Sequence, residues 1–141
     1  MRKVLIPMDG SRGAMRALDY VLGQAASESV SMQLIYVHFV PPFYQNPGAY
    51  LRRNENRRFA DKCAKAALAP AVRKLTRAGI EHRTMVIMGD AAPEIVRAAA
   101  RMNCESIVMG SRGLGAIKSL VLGSTAMKVI HLATIPVTIV K

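Results

Sequence analysis

The sequence is poor in aromatic residues, cysteine and acidic residues. It has no tryptophan among 141 residues, and aromatic residues make up 5% of the chain, whereas apolar residues make up 51%. The hydrophobic core should therefore be mostly aliphatic, and the chain is long enough to form a single domain over residues 1–141. No apolar run reaches the roughly 18 residues that a membrane span needs. The run after Met1 is also too short for a signal peptide, which favours a cytoplasmic location.

The two cysteines, Cys63 and Cys104, give no sign of a disulfide or metal site. They form no Cys-x-x-Cys motif, and no histidine lies near either of them at metal-ligand spacing. This pattern favours buried, reduced thiols and leaves a redox role as the alternative.

Acidic residues are scarce, with nine Asp and Glu against 20 Lys and Arg, which gives a net charge of +11. Residues 51–83 hold ten of the basic residues and three acidic ones. Such a segment could contact nucleic acid, an anionic membrane or an acidic partner, but a solvated helix face is the simpler interpretation. We expect the segment to lack interleaved exposed aromatics, and it matches no DNA-reading motif, which argues against nucleic acid.

Strand and helix patterns alternate along the whole chain. This alternation predicts a three-layer α/β/α sandwich around a five-stranded parallel sheet. Pro70 interrupts the second helix and should kink it or divide it in two. The predicted strands cover residues 3–7, 31–40, 81–88, 105–109 and 135–140, and the predicted helices cover 12–28, 50–78, a segment capped by Asp90, and 124–133.

Two loops that follow predicted strands have unusual sequences. The first is Pro7-Met8-Asp9-Gly10-Ser11, and the second covers residues 110–123, with glycines at 110, 113 and 123. Ligands bind at the carboxyl ends of strands in open α/β sheets, so the loops should meet if strands one and four are neighbours. Glycine-spaced amides and the start of the following helix are suited to binding phosphate.

The chemistry of the side chains suggests roles in binding a nucleotide. Ser124, as the N-cap of the last helix, offers a hydroxyl, and Arg112 offers a charge to the outer phosphates. Asp9 could accept hydrogen bonds from ribose hydroxyls, and the backbone near Val37 could meet the base.

Structural explanations for the same residues remain open. Gly110 and Gly113 could simply form a turn, Ser124 could only cap its helix, Asp9 could be the N-cap of the first helix, and Arg112 could be an exposed cation. The loop is neither a Walker motif, because Gly-Lys-Ser/Thr is absent, nor a Rossmann dinucleotide fingerprint. The combination of these residues at this spacing favours nucleotide binding, although each residue alone is a weak signal.

The chain resembles the universal stress proteins of the UspA-like superfamily. The resemblance depends on Gly110, Gly113, Gly123 and Ser124, and on the segments 4–11, 89–90 and 135–140. It implies strand order 3-2-1-4-5, ATP as ligand, and a homodimer formed through the last strand, residues 135–140. The nucleotide-binding residues that it implies are Pro7, Asp9, Val37, Met109, Gly110, Arg112, Gly113, Gly123, Ser124 and Thr125.

Three functions are compatible with these features. The first is an ATP-binding regulatory dimer that acts in stress response. The second is a slow ATPase, which is disfavoured because no carboxylate pair, Ser-His-Asp set or Mg²⁺ cluster flanks the glycine loop, although Asp9 could contact Mg²⁺. His38, His82 and His131 are scattered, which favours structural or surface roles. The third is an adaptor that uses the basic helix to bind an acidic partner, anionic lipid or RNA, with nucleotide as a modulator.

Overall fold

The computed structural model describes residues 1–40, 50–114 and 122–141, with backbone alone for residues 50–53. None of the helices in these ranges combines the length and apolarity needed to cross a bilayer. The elements are β1 Arg2–Pro7, α1 Arg12–Gln24, β2 Val30–His38, α2 Tyr50–Arg77, β3 His82–Met88, α3 Ala91–Arg101, β4 Ser106–Gly110, α4 Ser124–Leu132 and β5 Val137–Val140.

The five strands form one parallel sheet with the order β3-β2-β1-β4-β5, as predicted. Strand β1 lies at the centre, with Val4 in register with Met32 of β2 and with Ser106 of β4. The strand order reverses between β1 and β4, so the loops that follow them leave the same edge of the sheet side by side.

The core is divided by the sheet into two aliphatic layers. Val4 and Ile6 pack with α1 and α2 on one face, whereas Leu5 packs with α3 and α4 on the other. Strand β1 is therefore covered on both sides, which explains its continuous apolar run.

Several boundaries differ from prediction. Helix α1 ends at Gln24 rather than at 28, and β2 ends at His38 rather than at 40. Strand β5 starts at Val137, and Pro136 precedes the strand and accepts a hydrogen bond from the Ile107 amide at 2.9 Å. Proline has no N–H for a strand ladder, which favours its place before the strand.

Helix α2 runs unbroken through Pro70, so its division into two helices is wrong. Pro70 is exposed, whereas Ala67, Ala71 and Leu75 are buried. Ala66, whose carbonyl loses its helical partner, is exposed to water. Packing of the buried side therefore outweighs one missing backbone hydrogen bond.

The cysteines are both free, but only one matches the predicted burial. Cys104 is buried, and burial raises the pKa of its thiol, an effect that the charge of Lys3 partly opposes. Cys63 is only half-buried, so the prediction of a buried thiol is wrong there.

Candidate functional site

A cavity of about 410 Å³ opens between the two unusual loops, at the carboxyl ends of β1 and β4. All ten residues singled out from the sequence line it. Its volume falls within the range of small-molecule sites. The residues in question are Pro7, Asp9, Val37, Met109, Gly110, Arg112, Gly113, Gly123, Ser124 and Thr125.

The Asp9 carboxylate connects the two loops. Its Oδ1 accepts a hydrogen bond from the Ser11 amide at 2.8 Å, and its Oδ2 accepts one from the Leu114 amide at 3.3 Å. Asp9 does not cap α1, because Ser11 is the N-cap and its Oγ accepts from the Ala14 amide at 3.1 Å. The alternative role of Asp9 as a helix cap is therefore wrong, and its carboxylate lies at the cavity wall.

Gly110 and Gly13 bring two backbones into direct contact. A Cβ at Gly110 would lie 2.6 Å from the carbonyl carbon of Gly13, and a Cβ at Gly13 would lie 2.4 Å from the Arg112 carbonyl oxygen. Both distances are too short for any side chain, so the first turn of α1 packs against the start of the glycine loop. Gly13 was not predicted to be important. A glycine inside a helix lowers stability by about 1 kcal/mol relative to alanine, which can indicate a close contact at that position.

Gly113 is required for a different contact. A Cβ there would lie 2.5 Å from Oδ2 of Asp9. Because that oxygen already accepts from the Leu114 amide, a side chain at position 113 would displace the carboxylate that links the loops. If Gly113 only formed a turn, as the alternative explanation holds, this contact with Asp9 would be unexplained.

Helix α4 starts at Ser124, so its N-cap lies one residue earlier than predicted. Gly123 is the N-cap, with extended backbone, and Ser124 is the first helical residue, so its assignment as N-cap is wrong. The Gly123 amide donates to the Ser111 carbonyl at 2.7 Å, and its carbonyl accepts from Met127 at 3.0 Å. In the part of the chain that the structure describes, no side chain caps this helix start, which lies at the cavity. Uncapped amides and the helix dipole together favour an anion there.

The far wall of the cavity is apolar. It is formed by side chains of β2 and α3, among them Ile35, Val37, Ala91 and Ile95. Sequence reasoning found only Val37, because the others follow the periodicity of core residues and carry no distinguishing signal. The cavity thus has an apolar side and a side rich in backbone amides.

Tyr36 lies on the opposite face of the sheet from Val37 and packs against the α1 and α2 layer. Its hydroxyl is 3.4 Å from Nδ1 of His38. Burial raises the pKa of Tyr36, and the nearby Cys63 and Asp9 raise it further. The Tyr36 side chain thus lies on the other face of the sheet from Val37, close enough to Asp9 for the carboxylate charge to affect it.

Groups suited to metal binding or catalysis are sparse in the described ranges. Within them, no three His, Cys, Asp or Glu side chains come close enough together to hold a metal ion. His82 contacts the Ile80 carbonyl at 2.8 Å, and His131 is exposed on α4. Asp90 precedes α3 as predicted, but its side chain makes no capping hydrogen bond.

Comparison with known proteins identifies the same family over the whole chain. The profile described as the universal stress protein family matches residues 1–141. A universal stress protein from Thermus aquaticus is 34% identical, with 99% of this chain and 98% of the relative covered. Universal stress protein YxiE from Bacillus subtilis is 29% identical, with 99% and 98% covered.

Solved structures share the fold. The protein MJ0577 superposes with a TM-score of 0.87 at 26% identity, covering 99% of this chain and 95% of its own. A universal stress protein in complex with cAMP gives 0.72 at 22% identity, covering 99% and 97%. An Arabidopsis thaliana family protein with AMP bound gives 0.69 at 18% identity, covering 100% and 92%. At 22% and 18% identity, the last two comparisons establish a shared fold and no more.

Proposed function

The chain belongs to the universal stress protein family, and on that premise we propose that it is a regulatory homodimer that binds ATP and acts in stress response. The observation that carries the proposal is the cavity itself, in which the glycine loop, the uncapped start of α4 and the Asp9 carboxylate converge. Adenine nucleotides in two proteins of the same fold are consistent with it.

Each part of ATP has a matching surface in this cavity. Amides of the glycine loop and of the first turn of α4 would bind phosphate oxygens, and Arg112 would neutralise the outer phosphates. Asp9 would accept from ribose hydroxyls, and the apolar wall of Ile35 and Val37 would contact the base.

Mg²⁺ would enter this site with the phosphates. Both Asp9 oxygens already accept amide hydrogen bonds, and the described residues provide no carboxylate cluster. Mg²⁺ commonly keeps several waters and binds through substrate phosphates plus one or two carboxylates. Asp9 is the residue that we propose contacts Mg²⁺. We also propose that the site acts by binding ATP rather than by hydrolysing it.

Arg112→Gln tests the assignment of the phosphate side. Loss of a charged hydrogen bond costs about 1.5–3 kcal/mol, so the Kd for ATP should rise about 10- to 100-fold. The Kd for AMP should change less, because AMP lacks the outer phosphates. Isothermal titration of the wild type and the variant with ATP, ADP and AMP measures both effects.

Arg101→Gln is the control for this titration, because Arg101 is an exposed cation at the end of α3, outside the cavity. It should leave all three Kd values unchanged. If the wild type binds none of the three nucleotides below millimolar concentration, the proposal is wrong.

The surface around β5 supports the proposed homodimer. Strand β5 is an edge of the sheet, so among the described strands its outer backbone groups have no partner. Next to it in sequence, α4 exposes Met127, Ile130 and Leu132, which line one apolar hollow with Leu122. A second copy paired along residues 137–140 would bring both apolar surfaces together.

Ile130→Glu should convert this dimer into a monomer. An unpaired carboxylate in an apolar interface costs several kcal/mol, so the dimer Kd should rise at least about 100-fold. Sedimentation equilibrium measures the change. Tyr20→Glu is the matched control, because Tyr20 is 44% exposed on α1 and Ile130 is 47% exposed on α4. A wild type that sediments as a monomer at high concentration contradicts the dimer.

A further inference from the structure

The charge of this protein is concentrated on one side of the sheet. Helices α1 and α2 carry eleven lysines and arginines against three acidic residues, whereas α3 and α4 carry three against one. Both α1 and α2 cover the same face of the sheet. The layer that they form therefore carries a net charge of +8, against +2 for the helices of the opposite layer.

Five exposed cations lie along one face of α2, with a gap between Lys65 and Arg73. At 100° and 1.5 Å per residue, they fall within an arc of about 120° and extend over about 28 Å of the helix. The arc is centred opposite the buried side formed by Ala60, Ala64, Ala71 and Leu75. The stripe, which we call the basic stripe, consists of Arg58, Lys62, Lys65, Arg73 and Arg77.

The basic stripe is not neutralised within the chain. All nine acidic residues lie in the described ranges, and none is within ion-pair distance of these five cations. The neighbouring acidic groups are Glu55, Asp61 and Asp19. Asp61 pairs with Arg57 at 3.2 Å, and Asp19 pairs with Lys74. Those two ion pairs stabilise cations outside the stripe and leave the stripe itself cationic.

Two exposed phenylalanines lie at the amino end of the basic stripe. Phe59 is 58% exposed, so the expectation that residues 51–83 lack exposed aromatics is wrong there. Its ring meets the His38 ring edge-on, with centroids 5.6 Å apart. Phe39, next to His38 in the chain, is 63% exposed. Apolar rings beside lysine and arginine are typical of helices that bind the headgroup region of a bilayer.

We propose that the outer face of α2 docks on an anionic lipid bilayer. One exposed face of a single helix can present all five cations to a flat field of headgroups. Single-stranded nucleic acid is instead bound in grooves, and in a duplex groove a cationic ridge would face base edges rather than phosphates. This proposal is independent of nucleotide binding, since no residue of the basic stripe lines the cavity.

Vesicle flotation tests the proposal with the full chain. The protein should float with phosphatidylcholine vesicles that contain 30 mol% phosphatidylglycerol, should not float with pure phosphatidylcholine, and should dissociate as salt is raised. Each cation near an anionic leaflet contributes roughly fivefold to partitioning. The triple variant Arg58→Gln, Lys62→Gln, Lys65→Gln should therefore lower the partition coefficient about 100-fold.

A second triple variant, Lys3→Gln, Arg83→Gln, Arg101→Gln, removes the same charge from exposed positions outside α2. It should change partitioning by less than about threefold, since its residues lie outside the docking face. Equal losses for the two triple variants, or no flotation of the wild type with anionic vesicles, overturn the proposal. Retention of the wild type on duplex DNA or polyglutamate without vesicle binding would assign the stripe to those partners instead. Circular dichroism of all three proteins checks that each is folded.

Discussion

Gly113→Val is expected to weaken nucleotide binding at least about 100-fold. The new Cβ would lie 2.5 Å from Oδ2 of Asp9, so the carboxylate must move away. That movement breaks the hydrogen bond from the Leu114 amide and displaces the group assigned to the ribose. Loss of two proposed hydrogen bonds from ribose hydroxyls to the Asp9 carboxylate, at about 1.5–3 kcal/mol each, accounts for the expected change. Titration with ATP measures it.

The matched control is Gly23→Val. Gly23 lies near the end of α1 and has no atom within 4 Å of the position of an added Cβ. The same substitution there should leave the Kd for ATP unchanged. If Gly113→Val binds ATP as tightly as the wild type, then Asp9 and the glycine loop do not form the binding site.

Gly13→Ala is expected to lower the free energy of unfolding by about 1–3 kcal/mol, the usual cost of overpacking. Helix propensity alone predicts the opposite sign, because alanine in place of glycine inside a helix gains about 1 kcal/mol. The difference arises because the new methyl group would lie 2.4 Å from the Arg112 carbonyl oxygen. That atom belongs to the backbone and cannot rotate away.

Gly23→Ala separates the two effects, because it is the same change in the same helix with open space around it. It should raise the free energy of unfolding by up to about 1 kcal/mol. Urea unfolding followed by circular dichroism measures both variants, and the chain has no tryptophan for fluorescence. Stabilisation by Gly13→Ala would show that α1 and the glycine loop are not in contact.

The fold could be predicted from the sequence because its signals are local. Apolar runs such as Val4–Ile6 mark strands covered on both sides, and the alternation of strands with helical patterns leaves few topologies. The strand order came from the resemblance to the family. Helix and strand ends were less predictable. Gly123 and Ser124 are both good N-cap residues, and only the extended backbone of Gly123, whose carbonyl accepts from Met127, identifies the cap.

The candidate site could be predicted only in part. Its loop residues follow strand ends, so their convergence was expected once β1 and β4 were taken as neighbours. Ile35, Ala91 and Ile95 also line the cavity, but in sequence they look like ordinary core residues. Gly13 was missed because its role depends on a contact with Gly110, 97 residues away in the chain, that no local pattern encodes.

The contact between Gly13 and Gly110 has a consequence for how any anion would be received. Because it joins backbone to backbone, the entrance of the glycine loop is shaped when α1 packs on the sheet. The conformational entropy of the loop entrance is lost during folding and need not be lost again when a ligand binds. The arriving ligand would therefore meet a preorganised rim at Gly110, and affinity would depend on the packing of a helix that it barely touches.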